Sequence, residues 1–164
     1  MSNHVRDEKR LPLSLDFLYN NDLLDMFNML CVLNEFSNKK NGVFIDELTF
    51  YLSIVTSRNY ERLIQIFEKK NIETQLTMSS NYYYYEPKIR SLILNANNLE
   101  LISFVTNKDK INYNFKVKIS STGAEKIGKL EGEFFKDLTT RIVKAKSVIN
   151  YNKTNLSILQ GGIL

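Results

Sequence analysis

From Asp22 the chain places apolar residues at intervals of three and four. Leu23, Leu24, Phe27, Leu30 and Cys31 share a face with Asn34, and Met26, Met29, Val32, Leu33 and Phe36 widen it. A helix apolar around most of its circumference belongs in the centre of a core. Asp22 suits the N-cap, and Asn38-Lys39-Lys40-Asn41-Gly42 supplies turn residues at the other end. In the next run, VFIDELTFYLSIV, Asp46 can cap a second helix with Leu48, Tyr51, Leu52 and Val55 facing inward. Asn59 to Lys70 predicts a third, amphipathic helix with Tyr60, Leu63, Ile64 and Phe67 on its apolar side.

Ile72 to Tyr85 lacks a helical period and reads as extended or irregular. Alternation there sends Tyr82 and Tyr84 to one side and Tyr83 and Tyr85 to the other. Pro87 suits the first turn of a helix ending near Asn95 or Ala96, with Ile89, Leu92 and Ile93 inward and Lys88 and Arg90 outward. Leu99–Thr106 and Ile111–Ser120 then predict a β-hairpin across the polar turn Asn107-Lys108-Asp109-Lys110. Phe115, Val117 and Ile119 lie on one face of its second strand and Lys116 and Lys118 on the other. In KVKISSTGAEKIGKL, Ser121 or Thr122 caps a helix directed inward through Ala124, Ile127 and Leu130, with Gly123 at the strand-to-helix corner. After Gly132 a last amphipathic helix buries Phe134, Leu138, Ile142, Ala145 and Ile149; the tail YNKTNLSILQGGIL shows no clear element.

Helices followed by a hairpin and a return helix predict an α+β, mainly helical fold. The arrangement is a winged helix-turn-helix-like domain with a two-stranded wing and an added C-terminal helix. The expected boundaries are a flexible N-terminus at 1–12, the winged-helix-like domain at 13–133, the C-terminal helix at 134–150 and an apolar tail at 151–164.

The segments LLDMFNMLCVLNEF, IDELTFYLSIV, NYERLIQIFEKK, YYYYEPKIRSLILNANNLELISF and VKISSTGAEKI together resemble the small middle component of bacterial ABC-three-component systems. The resemblance covers about residues 15–135. It implies a non-catalytic adaptor that binds an SMC-like or RecN-like ATPase and an additional component protein, in gene clusters proposed to act in antiviral and mobile-element defence. It implies no cofactor and transfers no catalytic residues.

Charge and composition narrow the reading further. Residues 1–107 carry 11 basic and 13 acidic side chains and residues 108–164 carry 11 and 5, so the net +4 resides in the C-terminal third. A basic third suits nucleic acid, an acidic protein surface or plain solvation. Lys88 and Arg90 would stand near the start of a groove-reading helix, with Lys108, Lys110, Lys116 and Lys118 on the wing. The apolar SLILNAN offers only Asn95 and Asn97 for base edges, which disfavours sequence-specific readout. Nonspecific DNA contact therefore stays open, as does a free-standing, dimeric winged-helix transcriptional regulator.

Tyr82, Tyr83, Tyr84 and Tyr85, with Leu156, Ile158 and Leu159 of the tail, are the candidate partner-binding residues. The tail could fold back, swap between subunits or dock into another protein. His4 is the only histidine and no GxxxxGK[ST] or GxGxxG motif occurs, so a histidine triad or nucleotide loop cannot be built from this chain alone. Cys31 is most simply a small buried hydrophobe. No run of about 18 apolar residues occurs, and the first residues lack an apolar signal core. With a lone cysteine and an Asn- and Lys-rich composition, these features point to a bacterial cytoplasmic protein without a membrane span.

Overall fold

The central helix, α1 (Asp22–Glu35), buries Met29, Leu30, Val32 and Leu33 and packs against four later helices and one strand. These contacts belong to a computed structural model that describes residues 21–69, 79–105 and 115–161. The cap of α1 is Asn21 rather than Asp22: its side chain accepts from the Leu24 N–H at 3.0 Å. Leu23 and Leu24, expected on the core face, are exposed. Polar contacts of Asp22 and Asp25 hold that first turn instead.

Gly42, at φ +70°, lets the chain double back into β1 (Val43–Phe44). This two-residue strand, read from sequence as the approach to a helix, pairs antiparallel with the hairpin. Two residues are too few to show a period of two. α2 (Ile45–Val55) follows directly from Phe44, so Asp46 lies inside its first turn, where a carboxylate complements the helix dipole. Leu48, Phe50, Leu52, Ile54 and Val55 are all buried, making α2 a core helix on nearly every side. Its hydroxyls are satisfied along the helix, Thr49 donating to the Ile45 carbonyl and Ser53 to that of Thr49.

α3 (Tyr60–Lys69) is amphipathic, burying Tyr60, Leu63, Ile64 and Ile66 with Phe67 partly covered. The four-tyrosine run is helical, not extended: it forms α4 (Ser79–Tyr85). Burial there follows i,i+3 spacing, with Tyr82 and Tyr85 inside, Tyr83 outside and Tyr84 half-buried, so the alternating assignment is overturned. α5 (Ile89–Asn98) begins two residues after Pro87 and runs beyond Ala96, burying Ile89, Leu92, Ile93 and Ala96.

Leu99, Glu100 and Leu101 lie outside the hairpin strand, since Glu100 takes φ +58° and the chain turns there. β2 (Ile102–Val105) and β3 (Lys116–Ile119) pair antiparallel with Ile102 opposite Ile119 and Phe104 opposite Val117. With β1 on the other side of β3, the sheet has three strands in the order β1-β3-β2, where two were expected. The expected extended run at 72–78, the hairpin turn at 107–110 and residues 1–12 lie outside the described residues.

At the strand-to-helix junction Ser120 is the cap, one residue before the expected Ser121 or Thr122. Its hydroxyl oxygen accepts from the Gly123 N–H at 2.9 Å and its O–H donates to the Glu100 carbonyl at 2.7 Å. α6 (Ser121–Gly128) then places Gly123 against the Leu101 carbonyl and Ile119, leaving no room for a Cβ. α7 (Glu133–Val148) contributes Leu138, Ile142 and Ala145 to the same core as α1 and α2, whereas Phe134, expected on that buried face, is exposed. Tyr51 donates to the Ile149 carbonyl at 2.7 Å and Tyr60 to that of Arg141 at 3.0 Å, tying α2 and α3 to α7. The tail forms α8 (Lys153–Leu159), capped by Asn152, and buries Ile158 and Leu159. The protein is mainly helical with a small antiparallel sheet, and no described helix is long and apolar enough to cross a membrane.

Gly123→Ala forces a methyl group into a backbone carbonyl. We expect a loss of about 2–3 kcal/mol, read as a fall in Tm of roughly 4–12 °C by calorimetry, whereas Gly128→Ala, which meets nothing, leaves Tm within about 2 °C.

Candidate functional site

Asp25 organises the polar contacts at the start of α1. It is buried, and its two carboxylate oxygens accept from the Tyr84 hydroxyl at 2.8 Å and the Tyr85 hydroxyl at 3.1 Å. Lys88 donates to the Tyr84 oxygen at 2.8 Å and reaches Asp22 at 3.2 Å and Asp25 at 3.4 Å. Burial works against the charge on Lys88, but Tyr84, Asp22 and Asp25 outweigh it and hold its pKa above the usual lysine range. Lys88, expected as a phosphate contact, is therefore paired to two carboxylates and draws α1 to the α4–α5 junction.

The other expected nucleic-acid residues are placed as follows. Arg90 is exposed on α5. Lys116 is half-buried with its ammonium 4.3 Å from the centre of the Phe44 ring, and Lys118 is half-buried on β3. Lys108 and Lys110 lie outside the described residues.

An open groove of about 1130 Å3 lies between the start of α2, the α4–α5 junction, the hairpin and the start of α8. Phe44, Ile45, Tyr82, Pro87, Leu94, Phe104, Phe115 and Tyr151 supply most of its apolar lining. Leu94, Phe104 and Phe115 are among the most exposed large apolar side chains described, and the Phe104 and Phe115 rings meet edge-on at 6.3 Å. Asp46, Glu86, Arg90 and Lys153 also line the groove, two of each sign, and none is in an ion pair among the described residues.

The groove was not legible beforehand. Phe115 was assigned to the core face with Val117 and Ile119, but it is exposed because it stands one step beyond the paired strand. Leu94 lies off the Ile89, Leu92, Ile93 and Ala96 stripe of α5, which was its one visible signal.

The expected partner-binding residues divide. Tyr82, Tyr85, Ile158 and Leu159 are buried in the core, Leu156 and Tyr84 are half-buried, and Tyr83 remains exposed with its hydroxyl donating to the Gln160 carbonyl at 3.1 Å. Of the tail's alternatives, folding back is what occurs for the described residues; Ile163 and Leu164 lie outside them. Burial, with Glu35 adding to it, pushes the Cys31 thiol up to about 11, so it stays protonated at neutral pH. No protein-family model, curated protein or solved structure matches the chain.

Seven phenolic or ammonium groups among the described residues, Tyr51, Tyr60, Tyr82, Tyr84, Tyr85, Lys88 and Tyr151, hold their protons more tightly folded than unfolded, and four of them are shifted most. Burial, then Glu47, raises Tyr51 to about 12; burial, then Glu61, raises Tyr60 to about 12. Burial raises Tyr85 further, and Lys88 is raised as described. A raised folded pKa means stability is fully present below the unfolded value and lost as pH climbs through the folded one. Urea unfolding followed from pH 7 to about 12 will show a plateau to about pH 8, a first decline as pH passes the unfolded value of the Cys31 thiol, and a steeper one above about 10 as the tyrosine and lysine groups follow. Tyr51→Phe and Tyr60→Phe will each make that second decline shallower.

Proposed function

We propose that the chain is a winged-helix adaptor that docks a partner protein through the apolar groove between α5, the hairpin and α2. The element order supports the winged-helix part: α1, β1 and α2 precede α5, which leads into the hairpin, and β1 joins the free side of β3. In that arrangement α5 and the hairpin occupy the place where DNA-binding relatives of the fold meet the duplex. The observation that carries the reading is the character of this face. Leu94, Phe104 and Phe115 are presented around a groove with equal numbers of acidic and basic groups. A phosphodiester surface requires a clustered positive field, whereas a protein interface uses an aromatic and aliphatic centre with a mixed polar rim.

The partner we assign is the SMC-like ATPase implied by the resemblance, with an additional component protein bound elsewhere, in a bacterial cytoplasmic defence system. Catalysis belongs to the partners. The regulator reading would require Arg90, Lys116 and Lys118 to serve as phosphate contacts beside the exposed Leu94, Phe104 and Phe115 and the acidic Asp46 and Glu86.

Capture of the tagged full-length chain from its native host, with nuclease treatment and mass spectrometry, tests the proposal. An ATPase recovered near stoichiometry by wild type, and reduced at least tenfold by Phe104→Asp and Phe115→Asp with thermal melts unchanged, is the expected result. Recovery of DNA without a protein partner, lost instead in Arg90→Ala and Lys118→Ala, would overturn it and favour the regulator.

A further inference from the structure

We draw no further inference here: the strongest candidate, the edge of β2 that pairs with no described strand, beside the exposed Leu94, Phe104 and Phe115, carries no proposal because nothing in the structure shows what covers it.

Discussion

The arrangement depends on a carboxylate that has no solvent to face. Asp25 is buried on α1, and an unpaired charge there would cost several kcal/mol. Its solution is to recruit donors: two tyrosine hydroxyls from α4 and the ammonium of Lys88, the residue that precedes α5. This requirement fixes the rotation of the tyrosine helix. Tyr84 and Tyr85 must turn toward α1, which leaves Tyr82 facing the groove and Tyr83 facing the tail. One buried charge thereby sets the wall of the groove and the far anchor of α8.

The same node removes a cation from the surface. Lys88 immediately precedes α5, the helix that the proposed winged-helix reading would set toward the major groove, and it is paired to two carboxylates. What α5 offers outward is Arg90 and Leu94, next to the two phenylalanines of the hairpin. Electrostatics and hydrophobicity agree on this face, and both argue for a protein surface as its counterpart.

How much of this could be read from the chain follows from where each signal resides. α1, α3 and α5 were legible because their apolar spacing spans several turns, and the hairpin because β3 alternates cleanly through Val117 and Ile119. Misreadings occurred where local preference and tertiary demand diverge. Tyrosine favours strands, so four in a row suggested alternation; Asp25, more than fifty residues away, converts the run into a helix by binding two of them. β1 exists only because β3 has a free side to pair. The groove was hidden for a related reason: a hydrophobic pattern marks residues fit for burial, and only the assembled structure shows that Phe104 and Phe115 outrun the elements available to cover them. Ser120 was missed by one position, within the ordinary uncertainty of a helix boundary.

The two close backbone approaches flanking β3 have a mechanical consequence. At one end any Cβ on residue 42 would press on the Val117 carbonyl, and at the other any Cβ on residue 123 would press on that of Leu101. β3 is also hydrogen-bonded along both sides, so a one-residue slip would break two ladders at once and turn Val117 and Ile119 to the wrong face. A pull on the hairpin along its strands would therefore load those ladders in shear and pass into α1 and α6 as a rigid displacement. That stiffness makes the hairpin a lever rather than a tether.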